Sequence, residues 1–317
     1  MTELDLSLLD GAEQLIFALR ALYRQYGYTR YRMGKFEEYD LYVENKDFLI
    51  SDNIITFTDT DGRLLALRPD VTLSVVKSLG DEPEALRKLC YNENVYRVSK
   101  GTGSFREIMQ AGLECIGKVD TACVGETLLL AAKSLALCAP SFVLEVSHLD
   151  ILMSFLQEAV GSDDALHDAA LQCVGEKNAA GVAEVCRAGG GQPEGLIRLL
   201  GLYGPAERVL PELRALCAGR GLDAELGELE GALATLRGSG LEERVQLDFS
   251  LVSNLSYYNG MIFRGFVEGI PDSVLSGGQY DKLMRKMGRQ SNAIGFAVYL
   301  EELARLGGTQ NGVLQHA

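Results

Sequence analysis

An α+β fold is predicted, with one mostly antiparallel sheet flanked by helices and interrupted by a helical insertion. Three observations predict it. Runs rich in aromatic and β-branched residues lie both before residue 150 and after Gly240. Two of them, Leu89 to Val98 and Phe105 to Ile116, are long enough to form an extended antiparallel hairpin around the Ser99 to Ser104 loop. The segment between the two groups is rich in Leu, Ala and Gly, with charge at helical spacing. The simplest organisation is a core made of residues 1–150 and 241–317, with residues 151–240 inserted as helices.

The elements follow in order. From Asp10, apolar residues Leu15, Ile16, Leu19, Leu22, Tyr23 and Tyr26 recur at helical spacing, and Asp10 with Glu13 has the form of a capping box. Between Ile54 and Leu67, two β-type runs flank Asp61-Gly62, a dipeptide suited to a tight hairpin. A helix starts at about Asp70. After the long hairpin, Thr121 to Ala139 reads as a helix and Ser141 to Val146 as a strand. The helical block is broken by the glycine-rich corners AGGGQPEG and CAGRG. Strand character returns in RVQLDFSLV and LSYYNGMIFRGFVEG, where Asn259-Gly260 signals a hairpin. Two closing helices are expected, one from about Tyr280 and one through AIGFAVYLEELARLG.

Composition narrows the function. The chain has 317 residues, 47% of them hydrophobic, enough for one large core or a main domain with an inserted one. No apolar run suggests a membrane span, and the start MTELDLSLLD is acidic where a secretory signal would be basic, so a cytoplasmic protein is expected. A formal charge of −14, without a basic run, disfavours nucleic acid. The seven cysteines form no CxxC pair, and His148, His167 and His316 share no ligand spacing with them or with carboxylates. Reduced, mostly buried thiols and no metal are expected. Gly101-Thr102-Gly103 lacks the third glycine of a dinucleotide fingerprint, and Lys100 and Arg106 beside it read as loop residues. There is no P-loop and no nucleophile elbow.

Six segments carry chemistry: LRPDVT (Leu67 to Thr72), Tyr96-Arg97, SFREIMQAGLE, LVSNLSYYNG, SGGQYDKL and AIGFAVYLEEL. Taken singly, Asp70 and Thr72 also read as a helix N-cap pair, and Tyr257 and Tyr258 as strand packing. Gln110 and Glu114 are separated by an even number of residues, so they share one strand face, where burial is costly without a partner or ligand. Taken together, the segments resemble the histidyl-tRNA synthetases, class II enzymes, over about residues 8–150 and 245–305. The resemblance implies a class II synthetase-like sheet. It implies that Asp70 and Thr72 hold the amino group of histidine, that Gln110 and Glu114 contact the amino acid, and that one of Tyr257 and Tyr258 bonds the imidazole. Arg97 and Arg106 fall on what remains of an ATP site.

The match departs from the enzyme where cations are needed. Ser253 stands in place of the catalytic arginine in LVSNLSYYNG, and Glu302 in place of the motif 3 arginine. Adenylate formation requires positive charge at the departing phosphates. The sequence also stops at Ala317, where a synthetase would continue into an anticodon-binding domain. This combination resembles the regulatory subunits of ATP phosphoribosyltransferase. It implies a non-catalytic homodimer without a cofactor that joins short-form catalytic subunits in a hetero-octamer, activates them in the first step of histidine biosynthesis, and takes L-histidine as effector. The alternatives are a free-standing ligase forming an aminoacyl adenylate and a tRNA-sensing module.

Overall fold

The computed structural model describes residues 9–46, 49, 54–98, 103–252 and 257–307, beyond Leu303 as backbone alone. Helix α1 (Gly11–Gln25) is followed by the short strands β1 (Thr29–Arg30) and β2 (Phe36–Glu38), α2 (Tyr39–Glu44), β3 (Thr56–Thr58), β4 (Leu64–Leu67) and α3 (Val71–Ser78). The hairpin β5 (Leu86–Val98) and β6 (Phe105–Gly117) leads to α4 (Thr121–Cys138) and β7 (Phe142–His148). Then come α5 (Leu149–Val160), α6 (Asp164–Gly175), α7 (Ala179–Ala188), α8 (Glu194–Leu200), β8 (Tyr203–Pro205), α9 (Ala206–Cys217) and α10 (Asp223–Ala234). Strands β9 (Val245–Asp248), β10 (Asn259–Val267) and β11 (Leu275–Gln279), helix α11 (Asp281–Lys286), strand β12 (Asn292–Tyr299) and helix α12 (Leu300–Gly307) follow.

Local chemistry sets several of these boundaries. The capping box of α1 is complete, with Glu13 N–H donating to Asp10 at 2.8 Å and Asp10 N–H donating to Glu13 at 3.0 Å. The helix then turns Leu15, Leu19 and Tyr23 inward. At the β3–β4 hairpin, Gly62 takes a φ of +81°, while Asp59 accepts from the backbone N–H groups of Asp61 and Arg63. The β5–β6 ladder runs without a break from Leu86 opposite Gly117 to Val98 opposite Phe105.

Nine strands form the main sheet in the order β1-β5-β6-β12-β11-β10-β7-β9-β8, and β2-β4-β3 form a small second one. Among the described residues only β1 with β5 and β7 with β9 pair in parallel. One face of the large sheet packs on α4 and α1, through residues such as Leu113, Phe263 and Phe296. The other face carries a second apolar cluster containing Tyr42, Val71, Leu73, Tyr91, Tyr257 and Tyr280. The cleft between that cluster and the sheet holds the site described below.

Four findings differ from the sequence reading. The run AIGFAVY is strand β12, between β6 and β11, and the helix begins only at Leu300. An interior strand buried on both faces is apolar throughout, so its periodicity does not distinguish it from a buried helix. SGGQ lies in strand β11. Asn259-Gly260 makes no hairpin. It opens β10, where the register against β11 shifts between Asn259 and Ile262, and Gly260, at φ +54°, donates its N–H to Asp150 at 3.1 Å. Within residues 151–240 the chain also contributes β8, which pairs with β9 at the sheet edge, and Val174, Val182, Leu196, Leu213 and Leu229 join the same core as α4.

Among the described residues α4 alone is long and apolar enough to cross a membrane. Its apolar surface is instead consumed inside the fold, where Leu128, Leu130, Ala131 and Leu135 are fully buried against the sheet and α10.

Candidate functional site

Strand alternation builds the floor of the site. On the face turned away from α4, three rows of residues cross the sheet. One row is Glu114, Gly295, Gly278 and Ile262, running from β6 through β12 and β11 to β10. The next is Gly112, Ala297, Ser276 and Arg264, and the third includes Gln110 and Tyr299. Small residues at the centre leave a trough with functional groups along its rim. A Cβ on Gly295 would overlap the Glu114 carboxylate, and one on Gly112 would lie 2.6 Å from the Tyr91 hydroxyl, so these positions are cleared for the polar side chains beside them.

Above the floor stand the start of α3 and a group of phenols. The Tyr257 ring lies 4.6 Å from Tyr258 and 5.9 Å from Tyr280, centre to centre. The cavity, partly open to solvent, has a volume of about 260 Å³. Asp70, Thr72, Gln110, Glu114, Tyr257 and Tyr258, predicted from separate segments, all line it together with Arg97. Arg106 lies elsewhere, ion-paired with Glu301 at the start of α12. Ser253 falls outside the described residues, and Glu302 sits in the first turn of α12.

The acidic end is unusual for its burial. Glu114 is 1% exposed and accepts hydrogen bonds from Thr72 at 2.8 Å and Tyr280 at 2.6 Å. Burial pushes its carboxyl up to about 8, against the opposing pull of those two hydroxyls. Asp70 caps α3 by accepting from Leu73 N–H at 3.0 Å, and burial raises its carboxyl too, although the Leu73 bond and the Arg97 charge work the other way. Asp70 is therefore both a helix cap and a cavity wall. Arg97 is anchored through its Nε–H to the Pro69 carbonyl at 3.0 Å. Two desolvated carboxylates on one cavity form a site for a ligand with cationic groups. Among the described residues no group of His, Cys, Asp and Glu is placed to hold a metal ion.

Sequence reasoning missed Tyr91, Arg264, Ser276, Tyr280 and Tyr299, all of which face the cavity. Tyr280 lay within the quoted SGGQYDKL segment, and its distinction is the bond to Glu114, which only the fold reveals. Arg264 had a signal of its own, as the sole charge in the strand NGMIFRGFV.

With this geometry in view, similarity to known proteins is informative. The family model for histidyl-tRNA synthetase matches residues 2–303. The ATP phosphoribosyltransferase regulatory subunit of Clostridium kluyveri is 30% identical over 298 residues, covering 90% of this chain and 75% of that protein. An ATP phosphoribosyltransferase regulatory subunit/histidyl-tRNA synthetase from Bacillus halodurans superposes with a TM-score of 0.80 at 26% identity, covering 96% of this chain and 83% of its own. A chain of the ATP phosphoribosyl transferase (HisG:HisZ) complex from Thermotoga maritima shares the fold, with a TM-score of 0.72 at 19% identity, over 92% of this chain and 97% of that one.

Proposed function

This chain belongs to the histidyl-tRNA synthetase-like family of ATP phosphoribosyltransferase regulatory subunits, and from that premise we propose that its cavity holds L-histidine as an effector, not as a substrate. The observation that carries the reading is the buried pair Asp70 and Glu114, which shares one cavity with Thr72, Gln110, Tyr257 and Tyr258. Histidine offers what such a cavity lacks. Its ammonium group complements Asp70, and its imidazole complements Glu114 with a phenol alongside. Binding that differs in affinity between two states of an assembly biases that assembly, which is how an unreacted ligand regulates.

The synthetase reaction is not part of this function. By the resemblance, Ser253 and Glu302 replace two arginines, and Arg106 is occupied by Glu301. A carboxylate in place of a cation reverses the local electrostatic contribution to transition-state stabilisation. Losing one such group costs about 3 kcal/mol or more, so no histidine-dependent exchange of pyrophosphate into ATP is expected. An exchange signal that Arg97→Ala abolishes would establish the ligase reading instead.

The Thermotoga maritima structure joins two kinds of subunit in one complex. We infer a like pairing here, and from the family resemblance a cytoplasmic homodimer that assembles with short-form catalytic subunits into a hetero-octamer. Mixed with the short-form phosphoribosyltransferase of the same genome, it is expected to co-elute with it, raise its rate at least several-fold and make it inhibitable by histidine. Reconstitution giving neither a complex nor a rate change would refute the assembly.

A further inference from the structure

The carboxylates, hydroxyl, amide and phenols of the proposed histidine site leave one ligand group without a partner. Free histidine carries a carboxylate, and none of Asp70, Thr72, Gln110, Glu114, Tyr257 and Tyr258 is a cation. We propose that Arg264, in the trough floor, receives the ligand carboxylate and sets the selectivity of the site for the intact amino acid. This rests on the histidine reading of the cavity and assigns to that cavity a residue outside the motifs that suggested it.

Placement supports the assignment. Arg264 is an even-numbered residue of β10 on the same face as Ile262, so its side chain leaves the sheet into the trough and not toward α4. Its row continues through Ser276, whose hydroxyl lies 2.5 Å from that of Tyr299, so hydroxyl donors stand beside the guanidinium. The acidic and basic walls face each other across three strand spacings, about 14 Å between backbones, a gap that long side chains narrow from both sides. Tyr258 lines the same cavity as Asp70, Glu114, Tyr299 and Arg264, which ties both ends to one space.

Charge accounting favours Arg264 over the other cavity cation. Arg97 spends its Nε–H on Pro69 and offsets the charge of Asp70. Arg264 lines the cavity with no comparable anchoring hydrogen bond among the described residues. Glu145, its register neighbour on β7, feels the Arg264 charge, which pulls its carboxyl down against burial, but among the described residues the two form no ion pair. A guanidinium turned into a cavity presents a planar fork that matches a carboxylate in two parallel bonds.

The test compares L-histidine with L-histidinol, which carries an alcohol in place of the carboxylate, by calorimetry on the full chain. Wild type is expected to prefer histidine. Arg264→Gln should weaken histidine roughly tenfold to a hundredfold while leaving histidinol affinity within about twofold, so that the preference collapses. Arg264→Lys, which keeps the charge but loses the fork, should restore part of it. A preference that survives in Arg264→Gln but vanishes in Arg97→Gln would overturn the proposal, as would an equal loss of both ligands. Absence of histidine binding to wild type would instead reject the histidine reading of the cavity, and this proposal with it.

Discussion

Replacing Gly295 by alanine is expected to lower histidine affinity by roughly a hundredfold or more, and to cost about 1–3 kcal/mol of stability. Gly295 lies opposite Glu114 in the β12–β6 ladder, on the cavity face. A Cβ there would overlap Glu114 Oε2 and approach the Leu113 carbonyl to 2.5 Å. The carbonyl belongs to the ladder and is fixed. The carboxylate is also held, by Thr72 and Tyr280, so no flexible side-chain end is available to yield. The methyl group must displace Glu114 from its two hydroxyl donors, and with it the group proposed to bind imidazole. Calorimetric titration and thermal unfolding of Gly295→Ala measure both effects. A variant that binds histidine like wild type would mean that Glu114 has no part in binding. An equivalent alanine at Gly227, where nothing lies within 4 Å of a Cβ, controls for the substitution itself.

The same glycine shows where the sequence was legible and where it was not. Polar residues in apolar strands were conspicuous in one dimension, because an even separation on a strand places Gln110 and Glu114 on one face whatever the rest of the chain does. Asp70 and Thr72, and the Tyr257-Tyr258 pair, stood in segments with recognisable order, and the fold brought all six to one cavity. What the sequence concealed lay in the central strands. β12 is apolar on both faces, so neither a period of two nor one of 3.6 residues prevails in it, and its glycine fits a strand or a loop equally well. With β12 read as helix, neither the ladder from Glu114 to Gly295 nor the row from Gly112 to Arg264 could be drawn. Without those rows Arg264 was an isolated charge, and nothing distinguished Gly278 and Gly295. Tyr280 was invisible for a related reason. Its bond to Glu114 joins residues 166 positions apart in sequence, a relation set by sheet order and by no local pattern.

Glu114→Gln is expected to remove a pH dependence that wild type displays. In the empty protein, burial raises the Glu114 carboxyl from 4.5 to about 8. The folded state thus holds this proton more tightly than the unfolded chain does. Its contribution to stability is fully present below pH 4.5 and is lost as pH rises through about 8. Each pH unit of that displacement is worth about 1.4 kcal/mol, so ionising an empty, buried Glu114 costs several kcal/mol. The glutamine cannot ionise, and the hydroxyls of Thr72 and Tyr280 can each reverse between donor and acceptor to satisfy its amide. Without ligand, Glu114→Gln should therefore match wild type below about pH 4.5 and gain a growing advantage in melting temperature as pH rises from there to about 8, levelling off above it. Ligand binding should follow a different course. The carboxylate–imidazolium pair holds one proton, one fewer than the free partners below about pH 6.5 and one more than they hold above about 8, so wild-type affinity should be greatest between these limits and fall on either side, with the variant about 1–3 kcal/mol weaker inside that window. Melting curves of the two proteins that remain parallel across this range would show that Glu114 is ionised, and therefore compensated, in the empty cavity. Its burial would then reflect a pairing internal to the fold, and the case for a cationic ligand would pass to Asp70 alone.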